Sequence, residues 1–254
     1  MPSPLIIAHR GSSGVAPENT LAAFGRAIED GADGIEFDLR LARDKVPVVI
    51  HDATLQRLAG VTKRVSSLTS AELAQIDVGS WFNRRHPNLA QERFSTETVP
   101  TLEQILYFLL EFRGLIYIEL KCKNEDDAIQ LADAAAKLTS HSPLLSQIIV
   151  QSFDLNALIR TRNLTPTVKT AALFGPAIRH LLGGKLRIVK TARGIGVDHL
   201  SLHHSLITPH LVKKAKQVDL PITVWTVNKS RWFSRASKLG IHALITNEPG
   251  KIIG

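Results

Sequence analysis

Short apolar runs recur along the chain at spacings that leave room for a helix between them. Eight read as strands: 5–8 (LIIA), 34–39 (GIEFDL), 115–120 (LIYIEL), 147–152 (QIIVQS), 168–173 (VKTAAL), 198–203 (DHLSLH), 222–227 (ITVWTV) and 242–246 (HALIT). Most are rich in Ile and Val, the composition of parallel strands buried on both faces. Helix start signals lie between them. Asn19 stands ahead of LAAFGRAIED, in which Leu21, Phe24 and Ile28 share one face and Gly31 supplies the stop. Thr69 with Glu72, and Thr101 with Gln104, have capping-box spacing. Asp154 is placed to cap the following helix, and Thr208-Pro209 joins an N-cap to a proline at the first helical position. Eight strands alternating with helices over this length predict a (β/α)8 TIM barrel. No Gly-x-Gly-x-x-Gly follows the first strand, which argues against an open doubly wound sheet.

One run breaks the alternation. Residues 46–50 (VPVVI) follow the second strand region after only Ala42–Lys45. A parallel crossover needs about a dozen residues, so 46–50 is predicted to return antiparallel, as a hairpin arm at the barrel mouth. Residues 53–100 carry little strand pattern and are too long for a plain loop. They are read as a small insertion at the mouth, anchored by Trp81 and Phe82. The chain, 1–254, is then one barrel domain carrying that insertion.

Composition narrows the class of molecule. The chain has 254 residues, 44% hydrophobic and 21% charged, enough for a large globular core. The single cysteine, Cys122, excludes an internal disulfide and fits a reducing compartment. No basic leader precedes the first apolar run, and no apolar run reaches the roughly 18 residues of a membrane span. The expectation is a cytoplasmic protein without stable membrane insertion, a monomer or homodimer. Net charge is +8, but the basic residues are scattered. The densest runs, Lys213-Lys214-x-Lys216 and Arg84-Arg85-His86, lack interleaved aromatics, so nucleic acid is not an expected partner.

The acidic and basic residues at the strand ends carry the chemistry. Glu36 and Asp38 are two apart on a strand and therefore face the same way, with Cα atoms roughly 6.5–7 Å apart. Two such carboxylates repel each other unless a cation lies between them. Glu119 and Lys121 repeat the spacing. Three carboxylates form an all-oxygen ligand set, which favours one divalent cation, Mg2+ or Ca2+, over zinc. Lys121 is either a structural ion-pair partner of these acids or a neutraliser of phosphate charge. His9 ends the first strand and His51 ends the hairpin arm, which makes them the acid–base candidates. Arg10 suits bidentate phosphate binding, and Gly11 is expected to leave space for a ligand near the backbone. Trp225 is expected at the mouth against the substrate's non-phosphate end, with a core role as the alternative. His203 and His204 also close a strand. Cys122, out of phase with Lys121, is expected to pack away from the pocket.

These residues stand in an ordered set of short motifs. The set runs His9-Arg10-Gly11, Pro17-Glu18-Asn19-Thr20, 31–38 (GADGIEFD), 47–52 (PVVIHD), Val99-Pro100-Thr101-Leu102, Ile118-Glu119-Leu120-Lys121, Ser152-Phe153 and Trp225-Thr226-Val227-Asn228. It covers nearly the whole chain and resembles the glycerophosphodiester phosphodiesterases. The resemblance implies a distorted (β/α)8 barrel with a small insertion after the hairpin. It implies hydrolysis of glycerophosphodiesters to sn-glycerol 3-phosphate and an alcohol. It also implies a divalent metal on Glu36, Asp38 and Glu119, a catalytic pair His9 and His51, and phosphate contacts from Arg10 and Lys121. The chain departs from the family pattern at Ala42 and Lys45 in the hairpin and at His242 and Asn247 near the last strand. His9 is assigned as base and His51 as acid, with the reverse left open, as is water or the substrate's glycerol hydroxyl as nucleophile. Other readings are a lysophospholipase D or sphingomyelinase D activity, or a non-catalytic phosphodiester-binding protein.

Overall fold

The computed structural model describes residues 3–177 and 186–253. Its strands are β1 (Leu5–His9), β2 (Gly34–Leu41), β3 (Pro47–Val49), β4 (Leu115–Leu120), β5 (Ile148–Ser152), β6 (Lys169–Phe174), β7 (His199–His203), β8 (Ile222–Trp225) and β9 (Ala243–Thr246). All but β3 run parallel, each paired with the next, and β9 pairs back with β1 to close a barrel. Strand alternation sorts the side chains. Ile35, Phe37 and Leu39 face outward into the core shared with the helices. Ile7, Tyr117, Ile149 and Ile245 form a separate apolar cluster inside the ring. Each such fully buried side chain is worth about 1.5–3 kcal/mol relative to exposure.

Register decides what the mouth contains. His9 lies opposite Glu36 across β1 and β2, and Asp38 lies opposite Glu119 across β2 and β4. Four candidate side chains from three strands thus reach one end of the barrel. The predicted hairpin is present: β3 runs antiparallel to β2, with Leu39 opposite Val49 and Leu41 opposite Pro47. Lys45 takes the left-handed conformation there (φ 64°), a conformation that glycine adopts without steric cost.

The helix Leu21–Glu29 differs from its predicted form. Its N-cap is Thr20, whose hydroxyl accepts from Ala23 N, and not Asn19. Ala23, Phe24 and Ala27 make the buried face, while Leu21 and Ile28 are 38% and 41% exposed. The helix turns its alanines inward because it touches the backbone at Gly11. A Cβ on Gly11 would lie 2.6 Å from the Ala23 carbonyl. The space spared by Gly11 is therefore filled by this helix and not by a ligand.

Residues 53–100 form short helices and 3-10 turns beside the hairpin. Leu55, Leu58, Leu73 and Val99 pack with Val48 and Ile50 of the hairpin. Phe82 is fully buried and meets Phe94 edge-on at 5.6 Å, in a cluster that includes Ala16 and Ala23. Trp81 packs beside it, half-buried. Both capping boxes form, as do the caps from Asp154 and Thr208. Cys122 packs against the outer core. No described helix is long and apolar enough to cross a membrane.

Candidate active site

Glu36, Asp38 and Glu119 are 1%, 0% and 6% exposed. One oxygen from each lies within 4.8 Å of the others, and among the described residues this is the only such group of three or more acidic, His or Cys side chains. Lys121 Nζ stands 3.2 Å from Asp38 Oδ1 and 2.5 Å from Glu119 Oε1, and Arg10 Nε stands 3.2 Å from Asp38 Oδ2. Asn19 Nδ2 donates to Asp38 Oδ2 at 2.9 Å. Glu36 accepts from Arg10 N and from Gln151 Nε2, both at 3.2 Å, and Gln151 in turn accepts from Ser201 Oγ at 2.8 Å.

Electrostatics separate the three acids. Burial works to raise Asp38, but Lys121 and Arg10 overcome it and hold the carboxyl well below the usual range. Burial pushes Glu36 well above that range, with Asp38 and Glu119 adding to the rise. Burial and Asp38 lift Glu119 to about 7 despite the adjacent Lys121. Three buried carboxylates thus face two basic side chains, and two of the acids resist ionising. A cation held among them would supply the missing positive charge, and the all-oxygen donor set suits a hard ion.

The two histidines are each fixed through Nδ1. His9 Nδ1 lies 2.7 Å from Asn247 Oδ1, and His51 Nδ1 lies 2.7 Å from Asp52 Oδ1. An amide oxygen and a carboxylate only accept, so Nδ1 carries the proton in both rings and Nε2 is the atom left for chemistry. His9 Nε2 is 3.9 Å from Glu36 Oε2. Burial, reinforced by Arg10, lowers His9 to about 4, and burial lowers His51 as well. Asp52 is itself held by Arg57 Nε at 2.7 Å. Arg57 and Arg10 share Glu18, at 2.8 and 2.9 Å. One buried glutamate therefore ties the arginine beside the first histidine to the support of the second.

His9, Arg10, Glu36, His51, Glu119 and Lys121 all line a cavity of about 260 Å³. Its apolar side carries Phe153, Leu173, Trp225 and Ile245. Trp225 meets Phe153 at 5.6 Å and His203 at 5.1 Å, both edge-on, which places it on the wall of this cavity. His203 packs on Trp225, and His204 packs on His203 with ring centroids 4.1 Å apart. Glu18, Asn19, Gln151 and Asn247 had no assigned site role in the sequence. Strand alternation was the available signal for Gln151, which shares a face with Ile149. Glu18 and Asn19 sit inside a quoted motif, but nothing local says which acid or base they will meet.

The family model described as the glycerophosphoryl diester phosphodiesterase family matches residues 9–251. The glycerophosphodiester phosphodiesterase of Caldanaerobacter subterraneus subsp. tengcongensis is 31% identical over 255 residues, covering 98% of this chain and 96% of that protein. That of Bacillus subtilis is 31% identical over 252 residues, covering 96% and 84%. Among solved structures, an Oleispira antarctica phosphodiesterase in complex with the product sn-glycerol-3-phosphate matches with a TM-score of 0.86. It is 26% identical and the match covers 98% of this chain and 95% of that one.

Proposed function

Because the chain belongs to the glycerophosphoryl diester phosphodiesterase family, a family of hydrolases, we propose that it hydrolyses glycerophosphodiesters to sn-glycerol 3-phosphate and an alcohol by metal-assisted acid–base catalysis. The observation that carries this is the shared cavity: His9 and His51 line it together with Glu36 and Glu119, and Asp38 completes the buried acidic trio within 4.8 Å of those two carboxylates. Glu36, Asp38 and Glu119 would hold Mg2+ or Ca2+, which when bound draws charge from a non-bridging phosphate oxygen. Arg10 and Lys121 neutralise the rest of the phosphate charge.

The hydrogen-bond partners support one order for the histidines. His9 leans on a neutral amide and is kept uncharged by burial, the state of a base, so its Nε2 takes the proton from the nucleophile. His51 leans on the Asp52 carboxylate, which opposes the lowering by burial and steadies the imidazolium when it forms, so its Nε2 gives a proton to the departing alkoxide. Trp225 packs against the alcohol end. The nucleophile is water or the substrate's glycerol hydroxyl.

A lyso-lipid substrate needs an apolar surface for its acyl chain. Within residues 53–100 Leu89 is the only exposed large hydrophobic, which favours a water-soluble diester. A merely binding protein has no use for two imidazoles fixed in the same tautomer. Release of sn-glycerol 3-phosphate from glycerophosphocholine by the purified protein tests the activity. His9→Ala and His51→Ala should each lower kcat by about 10²–10⁴. Turnover at the wild-type rate in either variant removes that histidine from the mechanism.

A further inference from the structure

A larger cavity, about 560 Å³, opens beside the catalytic one. It lies past the C-terminal ends of β7 and β8, bounded by residues 204–207 and the helix Arg231–Leu239. Thr226 lines both cavities. A row of rings leads from one to the other: Phe153, Trp225, His203, His204 and Trp232, with successive centroids 5.6, 5.1, 4.1 and 5.9 Å apart.

The charge of this second cavity is one-sided. Lys229, Arg231 and Arg235 line it and no carboxylate does. Among the described residues none of the three is in an ion pair. Arg235 is held in place: its guanidinium carbon sits 4.5 Å over the Trp232 ring and its Nη2 donates to Ile207 O at 3.3 Å. His204, on the same wall, has a buried Nδ1 with no hydrogen-bond partner. Two arginine forks and an ammonium around one space are the donors that a phosphoryl group takes up.

We propose that this cavity is the subsite for the alcohol half of the substrate, and that it takes an alcohol bearing a second phosphate, as a monoester or a further diester. The inference rests on the catalytic reading above. A diester whose reacting phosphate lies between Arg10 and Lys121 extends over Trp225 and Thr226, and its far end enters the cationic space. On hydrolysis the P–O bond to the alcohol breaks, the nucleophile's oxygen forms the new one, and the alcohol leaves protonated with its second phosphate intact.

The test compares glycerophosphocholine with the diester of glycerol phosphate and glycerol 3-phosphate, which carries the second phosphate. Lys229→Gln/Arg231→Gln is the variant, since both side chains are exposed and neither is in an ion pair among the described residues; a thermal melt checks its fold. Wild-type kcat/KM should favour the anionic diester by about tenfold at low salt, the variant should lose most of that ratio through KM, and ~0.5 M salt should erase it in the wild type. Calorimetric binding of the same two diesters to chelator-treated protein, where turnover does not enter, should show the same charge dependence. The lysophospholipid with the same phosphorylated head group, run in parallel, tells a lipid source from a free diester. Hydrolysis of both diesters with equal ratios and equal binding in the two proteins overturns the subsite and leaves the catalytic reading intact. Charge-dependent binding without hydrolysis of either diester upholds the subsite and overturns the catalytic reading.

Discussion

Glu119 lies 2.5 Å from an ammonium and still titrates near 7, because burial and Asp38 outweigh Lys121. A metal ligand must lose its proton before it binds. Affinity for Mg2+ or Ca2+ should therefore climb as pH rises through about 7, and the raised Glu36 carboxyl should extend the climb; a level profile between about pH 6 and 8 would show that Glu119 does not gate the site. Glu36, Asp38 and Glu119 were legible in the sequence because a period of two on a strand is a local property. Asn19 and Asn247 were not. The His9–Asn247 bond joins positions 238 apart, and only barrel closure between β1 and β9 brings them together. Gly11 shows the opposite failure. Its need for glycine was visible, but the neighbour that imposes it is the backbone of a helix.

The hairpin was readable from its four-residue connection alone, since chain length forbids a parallel crossover there. The helix Leu21–Glu29 was readable as a helix but not in its buried face, which close approach to Gly11 rotates toward the alanines. Strand ends shifted by a residue or two, as for β7 and β9, because hydrogen bonding to neighbours sets them. The insertion was recognisable only as something too long for a loop, and its internal packing depends on contacts that leave no periodic trace. Gly79 is one of these. A Cβ there would sit 1.7 Å from the Phe94 carbonyl oxygen, so backbone must move to admit it. Gly79→Ala should destabilise the protein by about 2–3 kcal/mol through overpacking. Urea melts of the variant check this; a change within about 0.5 kcal/mol would mean the two segments are not in contact.

Across the whole barrel, the end opposite the mouth carries its own titratable pair. His199, 7% exposed at the start of β7, has its ring 5.4 Å from that of His242. Burial, with His242 and Lys169, lowers His199 to about 4. The unfolded chain takes up this proton near 6.5 and the folded one only near 4. Stability is thus fully present above about pH 6.5 and falls as pH drops toward 4, by on the order of 2–3 kcal/mol. Denaturant melts at stepped pH should show that loss, and His199→Gln should flatten it; identical slopes in the two proteins would place the acid sensitivity elsewhere. The count and order of the eight barrel strands were legible in the apolar pattern, whereas the pairing of β9 with β1 had to be inferred from that count. Closure matters because three strands and the hairpin must deliver their residues to one point. The direct test of that delivery is calorimetric titration of Mg2+ or Ca2+ into chelator-treated protein. The account predicts one ion bound per chain, and no measurable binding in Glu36→Gln/Glu119→Gln. Absence of binding to the wild type, or equal binding to the double variant, would contradict it.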